Sequence, residues 1–209
     1  MFLFDFHHHK IENPCGIYNL SLGENSPTSF FSVGIHPKNI GEDWESYFEE
    51  LKKFSILKNC VAIGECGLDA LIDIDENLQK TVFKQQILWA NEIQKPVIIH
   101  CVKRFHELVP FQKIAKVPLI IHGFNKKKSI AEEMLKHGFY LSFGKSVLYN
   151  LSLQAIIKEI PIDKIFLETD DADFDIVELY QKVSEIKEIS LEELQKKISE
   201  NLQSINVKF

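Results

Sequence analysis

The residues of this chain able to do metal or acid–base chemistry are histidines and carboxylates placed at the ends of apolar runs. The chain opens with "MFLFDFHHHK". Phe2, Phe4 and Phe6 alternate with Leu3 and Asp5, the period of a buried strand. Strand geometry sends alternate side chains to opposite faces, so Asp5, His7 and His9 share one face and Phe4, Phe6 and His8 the other. Two imidazoles two residues apart on one face can close on a single metal ion. An affinity tag would be longer, and this run sits inside a strand pattern. Further along, His36 ends "SVGIHP", Glu65 lies in "AIGECGLD", His100 in "KPVIIHCV" and His122 in "IIHGF". Glu168 and Asp170 follow in "LETDD".

These residues must be positioned by the elements around them. Apolar stretches at 3–9, 16–22, 30–36, 61–65, 97–100, 119–122, 140–143 and 165–168 read as strands. Helical periodicity marks 43–58, 75–94, 105–114, 127–137, 151–160, 173–186 and 191–203. Ser190 with Glu193 forms a capping box for the last helix, and Gly138 suits the end of the helix that closes at His137. Short strands alternating with amphipathic helices predict the α/β class with a parallel sheet. Eight of them predict a (β/α)8 TIM-type barrel formed by one domain over 1–209, with a doubly wound open sheet as the competing architecture. Such barrels typically use about 250 residues. The shortage falls at 10–15 and 23–29, too short for crossover helices, which need about a dozen residues. The barrel is therefore expected to be shortened and distorted around its first three strands.

In a parallel barrel all strand C-termini open on one face, where active sites lie. One histidine at a strand end is usually just a satisfied polar residue. Six strand ends carrying histidine or carboxylate predict metal ligation.

Composition narrows the class further. Hydrophobic residues make 45% and charged residues 26% of 209, ordinary for a soluble globular protein. No apolar run spans a bilayer and no charged leader precedes the first strand, so a cytoplasmic location without membrane or obligate protein partner is expected. Cys15, Cys60, Cys66 and Cys101 form no CxxC pair and read as reduced thiols. A net charge of −6 gives no global attraction for polyanions, so such a substrate must be drawn in locally. His106 and His137 fall on helices in surface or capping roles, while Trp44, Trp89 and the 16 Phe read as core.

"DFHHH", "SVGIHP", "AIGECGLD", "KPVIIHCV", "IIHGF" and "LETDD" together resemble, in order, the signatures of the TatD family of metal-dependent hydrolases, described as TatD-type deoxyribonucleases. The resemblance runs from Asp5 to Asp170. It implies that His7, His9 and Asp170 hold one divalent ion, that His100 and His122 hold a second, and that Glu65 bridges them. Two divalent ions against two carboxylates leave an excess of positive charge suited to phosphate. Four imidazoles favour zinc or manganese over magnesium. Ions about 3.5–4 Å apart acidify water and stabilise attacking and leaving oxygens. Asp170 is then the expected acceptor of the water's proton, with Glu65 as the other catalytic carboxylate. His36 is expected to orient substrate, and Glu168 and Asp69 to support the ligands. The implied substrate is DNA, an oligonucleotide or a small phosphoester.

The chain departs from that pattern at the substrate side. Phe6 and His8 flank His7 where the family has smaller residues, and Val102 stands where it has a phosphate-binding arginine. Lys103 and Arg104 are the cations available to replace it. "IIHGF" continues with Asn125 and Lys126 instead of the usual small residues, and the loops after Asp170 are short. Lys126, Lys127 and Lys128 sit where a helix begins, opposing its dipole by about 0.3–1 kcal/mol each, a conflict that a bound phosphate would relieve. Two other functions fit the same residues: an amide, ester or lactone hydrolase, and a non-catalytic barrel that keeps its metal for stability.

Overall fold

Alternating apolar segments build the barrel strand by strand. A computed structural model describes residues 3–207; Phe2 of the opening alternation lies outside them. Among the described residues the strands are β1 (Asp5–His8), β2 (Gly16–Leu20), β3 (Phe31–Val33), β4 (Cys60–Asp69), β5 (Val97–Val102), β6 (Leu119–Ile121), β7 (Tyr140–Phe143) and β8 (Ile165–Leu167). They pair in parallel in chain order. The ring is completed by a parallel bridge between His8 and Asp170. There His9 N–H donates to the Asp170 carbonyl at 3.2 Å and Asp170 N–H to that of His7 at 2.9 Å. The sheet is a (β/α)8 barrel, and the open, doubly wound alternative is excluded.

Among the described residues seven α-helices lie between or after the strands: α1 (Trp44–Ser55), α2 (Glu76–Ile93), α3 (Phe105–Gln112), α4 (Lys128–Lys136), α5 (Leu151–Glu159), α6 (Ile176–Lys187) and α7 (Leu191–Ser204). Among the described residues none lies between β1 and β2 or between β2 and β3, the shortening expected from chain length. Ser190 accepts the Glu193 N–H at 3.1 Å at the start of α7. Among the described residues no helix is long and apolar enough to cross a membrane.

Packing explains why the ends of β1 and β8 meet. Phe6 stacks on Phe166 with ring centroids 4.2 Å apart, and both are buried. Each such side chain contributes about 1.5–3 kcal/mol by leaving water. One turn on, Asp5 accepts the Thr169 N–H at 2.8 Å and its hydroxyl at 2.6 Å. Burial lifts the Asp5 carboxyl to about 7, and the two Thr169 donors pull against that rise. This clasp fixes the backbone immediately before Asp170.

Strand β4 runs longer than its apolar pattern suggested, past Glu65 to Asp69. Gly67 makes this possible. Its φ is +149°, and a Cβ there would lie 2.0 Å from the carbonyl oxygen of His100 on β5. Only glycine lets the two strands approach closely enough for Glu65 and His100 to meet.

Candidate metal centre

Glu65, on the middle of β4, is where the imidazoles converge. Its Oε1 lies 2.8 Å from His122 Nε2, 2.9 Å from His100 Nδ1 and 3.5 Å from His36 Nε2. Its Oε2 lies 3.8 Å from His7 Nε2 and 3.9 Å from His9 Nε2. Asp170 Oδ1 completes the second group, 3.4 Å from His9 and 3.6 Å from His7. One carboxylate thus faces two sets of imidazoles with different oxygens. Donor atoms fall into three overlapping clusters, His7–His9–Asp170, His7–Glu65–His122 and His36–Glu65–His100, each within 4.8 Å.

The electrostatics calls for a cation. His7 is fully buried, yet neither of its ring nitrogens has a hydrogen-bond partner, and His122 Nδ1 has none either. An unpaired buried polar group costs about 1–3 kcal/mol, so a ligated ion would remove a penalty the protein otherwise carries. Burial pushes the His7 imidazole down to about 3, which keeps it neutral and ready to ligate. Burial works against charge on Glu65 as well, but His122, His100 and His7 outweigh it and hold the carboxyl far below its usual range. On His122 burial is likewise outweighed, by Glu65 and Glu168, and its pKa stands well above that of a free imidazole. Burial opposes ionisation of Asp170 too, yet His9 lowers its pKa. The donor set of four imidazoles and two carboxylates fits divalent first-row ions.

Polar groups on the far side of the His100, His122 and His36 rings orient them. Asp69 Oδ2 lies 3.0 Å from His100 Nε2, which directs Nδ1 at Glu65. Glu168, fully buried, lies 3.6 Å from His122 Nδ1 and is itself held by the Ser142 hydroxyl and the Gly123 N–H. His36 is oriented the other way: its Nδ1 accepts the Lys38 N–H at 3.0 Å, so Nε2 carries the proton. His8 leaves the cage altogether, its ring lying against Gly16 on β2, where a Cβ would meet it at 2.7 Å.

Three supporting residues escaped the reading of the sequence. Asn19 on β2 accepts the Glu65 N–H at 3.0 Å and reaches its Oε2 at 3.4 Å. Gln79 and Gln86, both buried on α2, clasp main chain on either side of the site. Gln86 accepts the Ile35 N–H at 2.7 Å and donates to the Ile35 carbonyl at 3.2 Å. Gln79 does the same for Asp69, at 2.9 and 3.1 Å. Two glutamines seven residues apart share one helix face, and here that face also buries Val82, Phe83 and Ile87.

The cations expected to meet phosphate make the following contacts in the structure. Lys103 is exposed beyond β5 with a left-handed backbone, φ 57°. Arg104 is engaged by Glu76 at 2.7 Å and Glu107 at 3.0 Å. Lys126 Nζ sits 5.9 Å from the centre of the Phe105 ring. Lys128 pairs with Glu159.

Comparison with known proteins agrees with this architecture. The family model described as TatD related DNase matches residues 17–206. An "uncharacterized metal-dependent hydrolase YabD" of Bacillus subtilis is 30% identical over 191 residues, covering 82% of this chain and 75% of that protein. The "3'-5' ssDNA/RNA exonuclease TatD" of Citrobacter rodentium is 30% identical over 158 residues, 71% of this chain and 59% of its own length. The chain spans between 54% and 75% of the curated relatives it matches. The crystal structure of YJJV, a TatD homologue of Escherichia coli, superposes with a TM-score of 0.82 at 19% identity, covering 99% of this chain and 98% of that one. A TatD family hydrolase from Entamoeba histolytica gives 0.79 at 18%, covering 100% and 98%. At such identities the likeness concerns the fold. The match of the family model to nearly the whole chain decides the matter: this protein belongs to the TatD related DNase family.

Proposed function

We propose that the chain hydrolyses phosphodiester bonds in DNA or short oligonucleotides, using two divalent ions held by His7, His9 and Asp170 on one side and His100 and His122 on the other, with Glu65 between them. The observation that supports this most is the division of labour on Glu65, whose two oxygens face separate imidazole sets. Bound zinc or manganese would supply Lewis acidity, acidifying water and neutralising charge on the phosphate. The protein's own groups do the rest. Asp170, at the rim of the cage and one-third exposed, accepts the proton of the attacking water. The His36 Nε2–H is a fixed donor aimed into the cage and meets a phosphoryl oxygen. Asp69 holds His100 with Nδ1 inward, and Glu168 places its negative charge behind the His122 ring.

A second reading, a small-molecule amide, ester or lactone hydrolase, is favoured by Val102 and by the engagement of Arg104 with Glu76 and Glu107. Assays with manganese present decide between them. Release of nucleotides from a single-stranded oligonucleotide, together with turnover of bis(p-nitrophenyl) phosphate, supports the phosphodiesterase. Turnover of lactones or amides with both phosphodiesters untouched overturns it.

A further inference from the structure

A cleft of about 280 Å³ opens beside the metal centre, between the segments that follow β6, β7 and β8. Asp170 and Thr169 line one part of it, and Lys145, Ser146 and Tyr149 another. Whatever fills this cleft is in contact with a residue of the cage. Its volume lies close to the lower bound of small-ligand pockets, about 300 Å³, the scale of one nucleotide. Tyr149 is 68% exposed. The short turn that carries it is pinned in place: Asn125 donates to the Ser146 hydroxyl at 3.1 Å and Asn150 to Asn125 Oδ1 at 3.2 Å. The aromatic ring is therefore presented from a braced support and not from a loose loop. Lys145 holds its ammonium in the same wall by donating to the Asp173 carbonyl at 2.9 Å.

We infer that Tyr149 and Lys145 form a nucleotide subsite next to the metal centre. Tyr149 stacks the base beside the scissile phosphate, and Lys145 meets the adjoining phosphate. This rests on the phosphodiesterase reading above. An exposed tyrosine is often an isolated surface residue, but here ring, cation and cage residue share one cleft of nucleotide size. Stacking reads any base through its π-face. A stacked base must be unpaired and free of its neighbour, so the subsite selects for single-stranded character. It supplies a positive contact that Val102 and Arg104 do not.

The test uses metal-loaded full-length protein and a single-stranded tetranucleotide with phosphorothioate linkages carrying 2-aminopurine, whose fluorescence is quenched on stacking. Wild-type protein quenches the probe. Tyr149→Ala weakens binding about tenfold, the lower end of the effect of losing one stacked base, while Tyr149→Phe and Tyr149→Trp retain it. Lys145→Gln lowers the salt dependence of binding by roughly one counterion. With cleavable substrates, Tyr149→Ala lowers the preference for a base-bearing diester over methyl p-nitrophenyl phosphate by about tenfold. Equal binding and preference in Tyr149→Ala and wild type overturn the subsite, as does a loss in Tyr149→Phe equal to that in Tyr149→Ala. If wild type cleaves phosphodiesters and Tyr149→Ala is indistinguishable from it, the subsite alone fails. If wild type neither binds the probe nor cleaves any phosphodiester, the phosphodiesterase reading fails and the subsite with it.

Discussion

His36 accepts the backbone N–H of Lys38 on its Nδ1 at 3.0 Å, and this one bond decides what the ring can do. A neutral imidazole has one proton, so Nε2 bears it and faces Glu65 Oε1, 3.5 Å away, as a donor. A nitrogen that carries a proton cannot ligate a metal. Burial pushes the ring down to about 4, so it stays neutral at pH 7. We expect His36→Gln to lower kcat for a phosphodiester by about 10²-fold, the effect of removing one preorganised donor, while metal content stays that of wild type. Elemental analysis alongside kinetics checks this. Loss of an ion in His36→Gln would make His36 a ligand and refute the tautomer assignment.

The raised pKa of His122 makes metal binding compete with protons. Burial opposes charge on His122, but Glu65 and Glu168 outweigh it and raise its pKa. An incoming ion therefore competes with protons at His122, whereas His7, held near 3, has none to give up. Affinity should therefore rise with pH throughout the range below the pKa of His122, by up to about tenfold per unit for each proton lost. Titration calorimetry of zinc into metal-free protein, in two buffers of different ionisation enthalpy, should show proton release on binding. Binding that is indifferent to pH and buffer would contradict this.

Gln86 ties catalysis to the outer helix layer. Its side chain pairs both main-chain groups of Ile35, the residue before His36. Gln86→Leu is similar in size but leaves a buried N–H and carbonyl unpaired, at a cost of about 2–4 kcal/mol. For a chain of this length that amounts to a fall in melting temperature of roughly 5–15 °C. Gln86→Glu keeps the acceptor for the N–H and should lose less than Gln86→Leu by calorimetry. A melting temperature within a degree of wild type for Gln86→Leu would show that the clasp contributes nothing.

Residues at strand ends were legible in the sequence because strand period and parallel topology together dictate where they point. His7 and His9 face inward and His8 outward for the same reason that Phe4 and Phe6 alternate with Asp5. Missing helices after β1 and β2 followed from counting residues. What stayed hidden depends on distant pairing. Gln79 and Gln86 read as the polar face of a helix, and only their seven-residue spacing amid Val82, Phe83 and Ile87 hinted at burial. Asn19 reads as an ordinary strand residue until β4 brings Glu65 beside it. The extension of β4 to Asp69 was masked by Gly64 and Gly67, which weaken a strand pattern but are what close approach to β5 requires. The partners of the cations were hidden too: Arg104 and Lys128 meet Glu76 and Glu159 on neighbouring helices, pairings that no local pattern reveals.

The account depends on Glu65 joining two ions in one centre. Its most direct test is the metal content of wild type and Glu65→Ala after both are loaded with zinc and dialysed against metal-free buffer. Two equivalents per chain in wild type and almost none in Glu65→Ala is the predicted result. Two equivalents retained by Glu65→Ala would show that the carboxylate does not hold the ions together, and the dinuclear mechanism would fall.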